Sequence, residues 1–77
     1  MALVRRFEQK QMDRNSLHDE VEATYSVFAW DDRRLIQIDT YGRADREIPG
    51  KKSQTIQIDR DAGEQLFRIL RDEFGFK

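Results

Sequence analysis

The apolar positions of this chain follow two periods. From residue 20 to residue 30, EVEATYSVFAW alternates: Val21, Ala23, Tyr25, Val27 and Ala29 take one parity, and Glu22, Thr24, Ser26, Phe28 and Trp30 take the other. Alternation at period two marks a strand with two unlike faces. Asp31-Asp32 reads as a turn, and RRLIQIDTY resumes the alternation as far as Tyr41. In an antiparallel hairpin a two-residue loop pairs Val27 with Ile36 and Tyr25 with Ile38. A four-residue loop shifts the pairing but keeps those parities together. Either way one face collects Val21, Ala23, Tyr25, Val27, Ile36 and Ile38. A third strand, SQTIQI, adds Ile56 and Ile58 to a face of the same kind.

After Asp59 the period changes. In RDAGEQLFRILRDEF, the residues Ala62, Leu66, Ile69 and Leu70 recur at helical spacing, and Phe67 and Phe74 widen the apolar stripe. Asp59 suits the N-cap, Asp61 and Glu64 suit the positive end of the helix dipole, and Gly75 suits the stop. Gly63 costs helix stability, so close approach between backbones is its expected use. Near the start, Leu3, Val4 and Phe7 suit a short strand, while QKQMDRNSLHD reads as a long loop. The expected architecture is α+β: an antiparallel sheet of three to four strands with one C-terminal helix packed on one face. A single domain spans 1–77, divided into an N-terminal strand and loop segment (1–19), the sheet (20–58) and the helix (59–75).

Composition sharpens this picture in three ways. With 77 residues the chain has room for one small domain, marginal alone, for which self-association is a common remedy. It has no cysteine, which rules out disulfides and thiolate metal sites and is compatible with a cytoplasmic setting. It contains no apolar run long enough for a membrane span or a signal-peptide core. The net charge of −1 and pI of about 5.8 mean that any binding to nucleic acid must rest on local patches. The single histidine, His18, has no metal-ligating neighbours of its own kind, and Asp31-Asp32 is better explained as a turn than as a catalytic pair. There is no glycine-rich phosphate loop. Neither catalysis nor a cofactor nor a metal is expected.

The second parity of the strands carries the candidate chemistry. Phe28, Trp30 and Leu35 fall together near the hairpin turn, with Arg33 and Arg34 beside them. Aromatic and cationic groups on a sheet suit stacked bases and phosphates. The same apolar residues equally suit burial against a second copy, and both readings stand. The stretch YGRADREIPGKKSQTIQID places Arg43, Arg46, Lys51 and Lys52 around the only proline, Pro49. These cations are either a solvated loop with internal ion pairs or a rim that tracks phosphates.

RLIQIDTY, a variable loop, PGKK, TIQI and DRDAGEQLFRIL, in that order, resemble the positive cofactor four family of transcriptional coactivators and its bacterial relatives. The resemblance covers about residues 33–72 and is carried by Leu35, Ile36, Ile38, Tyr41, Pro49, Gly50, Lys51, Lys52, Ile56, Ile58, Gln65 and Leu66. Ile48 stands where that family usually has a basic residue, and Gly42 where an aromatic often follows the tyrosine. The resemblance implies a four-stranded curved antiparallel sheet, a dimer formed through the helices, and single-stranded DNA bound along the sheets. Lys51 and Lys52 would contact phosphates, and Trp30 or Tyr41 would stack on bases.

The expected function is a non-enzymatic homodimer or higher homo-oligomer that binds single-stranded nucleic acid through Arg33, Arg34, Arg43, Arg46, Lys51, Lys52, Trp30 and Tyr41. Phe28, Leu35, Phe67 and Phe74 are its expected interface residues. The alternative is a homo-oligomeric protein-interaction module with no nucleic-acid role.

Overall fold

The computed structural model describes residues 1–42 and 52–77. Among these, β1 (Ala2–Val4), β2 (Ala23–Trp30), β3 (Arg33–Tyr41) and β4 (Lys52–Ile58) are followed by α1 (Arg60–Phe74). The strands form one sheet in the order β1-β4-β3-β2. β3 pairs antiparallel with both β2 and β4, while β1 runs parallel to β4. The fold is therefore α+β with a mixed, mostly antiparallel sheet, and β1 departs from the antiparallel expectation. A parallel neighbour needs a long connection, and here the whole of residues 5–51 separates the two strands.

The β2–β3 turn has two central residues, Asp31 at φ 51° and Asp32 at φ 62°. Two left-handed residues make the tight turn whose twist matches that of paired strands. Aspartate tolerates this region better than most side chains. This geometry selects the two-residue register: Val27 lies opposite Ile36, and Tyr25 opposite Ile38. Across β3, Ile36 meets Ile58 and Ile38 meets Ile56. Rows of aliphatic side chains thus cross one face of the sheet.

Asp59 caps α1, its Oδ1 accepting the backbone N–H of Ala62 at 2.9 Å. Gly75 ends the helix at φ 75°, and the N–H of Phe76 returns to the Arg71 carbonyl. Between these caps the helix touches the rest of the chain only near its start. Ala62 is fully buried, Gly63, Gln65 and Leu66 are half-buried, and beyond Leu66 only Arg71 is not exposed. The side-chain amide of Gln65 clamps the N-terminal segment, accepting from Phe7 N–H at 2.8 Å and donating to the Phe7 carbonyl at 2.5 Å. Arg5 lies 3.5 Å from the capping carboxylate of Asp59.

The expected closure of the helix over the aliphatic face is therefore not found. Val27 remains 44% exposed and Ile36 42%, while Phe67 and Phe74 on the helix are more exposed still. A groove of about 900 Å³ separates the two surfaces, walled by Val27, Ile36 and Ile38 on the sheet and by Leu66, Phe67 and Leu70 on the helix. The chain as a whole also exposes more surface than a compact monomer. The accessible surface is 7508 Å², against roughly 4,900 Å² for a compact monomer of this mass. The radius of gyration is 14.7 Å, against about 11.5 Å for a compact chain of this length.

Gly63 also differs from expectation. A Cβ at this position would sit 3.8 Å from Cγ2 of Ile58, an ordinary contact, and its φ is not in the left-handed region. Among the described residues no close approach requires glycine here. Gly63→Ala is expected to stabilise the protein by about 0.4–1 kcal/mol in urea unfolding. A drop in stability would mean that the added methyl collides with something outside the single chain.

Candidate functional site

The face opposite the aliphatic rows is built from the second parity of β2, β3 and β4. Its centre is a chain of polar side chains. Asp39, on β3, is almost fully buried. Thr55 Oγ1 donates to it at 2.6 Å across the β3–β4 pair. Nε2 of Gln37 donates to both of its carboxylate oxygens at 3.2 Å. Gln57 in turn donates from Nε2 to Oε1 of Gln37 at 3.0 Å. Nζ of Lys52 lies 3.4 Å from Asp39 Oδ2.

These partners hold the Asp39 carboxyl below its ordinary pKa. The Thr55 hydrogen bond contributes most, with Gln37 and Lys52 adding to it against an opposing effect of burial. Asp39 is thus ionised at neutral pH, and its charge is matched by Lys52. No buried side-chain nitrogen or oxygen among the described residues lacks a partner. The floor of this face is a polar lattice whose buried groups all have partners.

The predicted binding residues distribute around this floor. Trp30 and Arg33 are cross-strand partners beside the turn, at the polar parity, with Arg33 also bordering the groove, and Trp30 is 63% exposed. Arg34 pairs with Ala29 and falls by register on the opposite, aliphatic side, where it lines the groove. Tyr41 is half-buried, and its hydroxyl shares a 2.9 Å hydrogen bond with Thr24 Oγ1. Lys52 has an exposed side chain but is tied to Asp39. Arg43, Arg46 and Lys51, with Pro49 and Gly50, lie outside the described residues.

The expected exposed cluster of Phe28, Trp30 and Leu35 is smaller than its sequence suggests. Leu35 is only 3% exposed and is part of the core of the single chain, paired across the strands with Phe28, which is half-buried. Leu35 is therefore corrected from interface residue to core residue, because its side chain is already covered within the single chain. Phe67 and Phe74 do remain on the surface: Arg71 stands 5.7 Å over the Phe67 ring, and Phe74 packs at 5.7 Å against Phe76.

The network of Gln37, Asp39, Thr55 and Gln57 is not visible as a unit in the sequence. Its trace there is the repeated Ile-Gln-Ile-Asp, which puts glutamine at matching positions of two strands. Only the register reveals the pairs, with Gln37 opposite Gln57 and Asp39 opposite Thr55. The described residues contain no cluster of His, Asp and Glu suited to a metal ion, and no helix long and apolar enough to cross a membrane.

The lowered pKa of Asp39 has a thermodynamic consequence. A carboxyl whose folded pKa lies below its unfolded value contributes stability above the unfolded pKa and loses it as pH falls through the folded pKa. The stability difference between the wild type and Asp39→Asn should therefore shrink as the pH drops below the ordinary carboxylate range, measured by urea unfolding at a series of pH values. A difference that stays constant would show that the charge of Asp39 is not what matters. Comparison of the chain with protein-family models, curated proteins and solved structures found no match.

Proposed function

We propose that this chain is a non-enzymatic binding module that self-associates through its aliphatic groove and helix and binds single-stranded nucleic acid along its polar sheet face. The observation that carries this reading is the segregation of the two faces. One side leaves Val27, Ile36, Phe67 and Phe74 exposed around an apolar groove. The other side is a polar platform with an aromatic ring, Trp30, and cations at its margins. Stacking on an exposed ring and pairing of phosphates with cationic side chains are the two ingredients of sequence-tolerant single-strand binding. The resemblance of residues 33–72 to the positive cofactor four family supports the same assignment.

The alternative of a protein-interaction module with no nucleic-acid role draws on a specific feature. Lys52, one of the expected phosphate ligands, already has Asp39 as its counterion, and the chain as a whole is slightly acidic.

Two measurements separate these readings. Leu70→Glu places a charge on the groove wall and is expected to shift sedimentation towards the monomer. Retention of the oligomer would remove the groove as the self-interface. Lys51→Ala with Lys52→Ala is expected to weaken single-strand binding and to flatten its log–log salt dependence by roughly 0.7 for each phosphate that is no longer neutralised. Salt-insensitive or absent binding by the wild type would favour the protein-interaction module.

A further inference from the structure

The polar lattice has a direction, and the direction is set by chemistry. An ionised carboxylate only accepts hydrogen bonds. Asp39 therefore obliges Gln37 to turn its amide nitrogen inward, towards Oδ1 and Oδ2. The Gln37 carbonyl is then the group presented to Gln57, and it accepts the Gln57 N–H at 3.0 Å. Rotating the Gln57 amide by half a turn would bring two carbonyl oxygens together, so its orientation is determined as well. Each residue of the relay removes one choice from the next. At its end Gln57 is left with a free acceptor: Oε1 takes no hydrogen bond among the described residues, and it is not sealed in the interior.

Gln57 lines an open cleft of about 440 Å³ beside β1. Leu3, its register partner on β1, supplies an apolar wall, and Thr55 and Lys52 complete the opposite margin. The cleft thus offers a flat ring an apolar surface, an oriented carbonyl and a nearby ammonium whose side chain is 56% exposed. These suit a base and its phosphate.

We propose that Gln57 determines base preference on this face: its carbonyl accepts a hydrogen bond from the exocyclic amino group of an unpaired base, so adenine and cytosine are taken over thymine and uracil. This inference rests on the single-strand reading given above. Base edges in single strands are open to such contacts. Adenine and cytosine place an amino hydrogen at the corner of the edge. In thymine and uracil the only edge donor is the ring N3–H, flanked by two carbonyl oxygens that repel an approaching acceptor. Asp39 and Gln37 touch no base in this arrangement; they are positioning residues, and Gln57 is the group that meets the base.

The test is fluorescence anisotropy with oligo(dA), oligo(dC) and oligo(dT) of equal length, each at two salt concentrations. The wild type is expected to bind oligo(dA) and oligo(dC) roughly three- to tenfold more tightly than oligo(dT), the worth of one hydrogen bond. Gln57→Leu, at a half-buried position on the sheet surface, should bring the three affinities together while the salt slope stays unchanged. Asp39→Asn should also bring the three affinities together, because a carboxamide can donate as well as accept and so releases Gln37 to turn, while its salt slope should steepen because Lys52 loses its counterion. Circular dichroism of both variants checks that the fold persists, and should Asp39→Asn unfold, Gln57→Leu alone decides. Equal, salt-sensitive binding of all three oligonucleotides by the wild type would overturn the base preference while leaving single-strand binding in place. A preference that survives Gln57→Leu would overturn the role of Gln57. Failure of every oligonucleotide to bind would remove the single-strand reading, and this inference with it.

Discussion

A sheet with two faces and a single helix that is anchored only at its base sets the terms for this molecule. The first two turns of α1 are held by burial of Ala62, by the Asp59 cap and by the Gln65 amide on the Phe7 backbone. Past that anchor the helix and the aliphatic rows of the sheet diverge, and neither apolar surface is satisfied. Burying apolar area is the main favourable contribution to folding, and this chain leaves much of it undone. Its core is correspondingly slight: Leu35, Ile58 and Ala62 are its only fully buried apolar residues among those described. Small domains commonly make up such a deficit by oligomerising, and the groove between helix and sheet has the apolar character that a second copy would need.

The polar face solves a different problem. A glutamine, an aspartate and a threonine in a sheet would be costly if shielded without partners. Here each is answered by a neighbouring side chain, and two of the four hydrogen bonds cross from β4 to β3. The two faces thus divide the work. One leaves apolar side chains exposed, while the other is a hydrogen-bonded polar surface with Trp30 at its margin. The single-strand reading and the self-association reading use different faces of the same sheet, so they are compatible and separately testable.

Much of the architecture is legible in the pattern of side chains. Alternation locates β2, β3 and β4, and parity anticipates that Tyr25, Val27, Ile36 and Ile38 share a face, while the pairing of Val27 with Ile36 is that of the two-residue loop, one of the two loop lengths the sequence leaves open. The N-cap at Asp59 and the stop at Gly75 follow from local chemistry that depends on few neighbours. What the pattern does not supply depends on distance. The parallel placement of β1 rests on pairing between residues more than fifty positions apart. The apolar stripe of the helix matches the aliphatic face of the sheet, which suggests closure of one over the other. A stripe reports that a surface needs cover, not which molecule covers it. Leu35 differs from expectation for a related reason, since parity assigns a side chain to a face but not its depth there.

The candidate site divides along the same line. The sequence by itself determined which residues share a face, because the period of a strand is a property of the backbone. It therefore placed Gln37, Asp39, Thr55 and Gln57 together on the polar side, and put Trp30 and Arg33 at its end. Only the tertiary structure decided that these four side chains form one directed relay and that Lys52 serves Asp39. Hydrogen bonds and ion pairs act over about 3 Å, and a cross-strand register sets distances of that size only when the strands have come together.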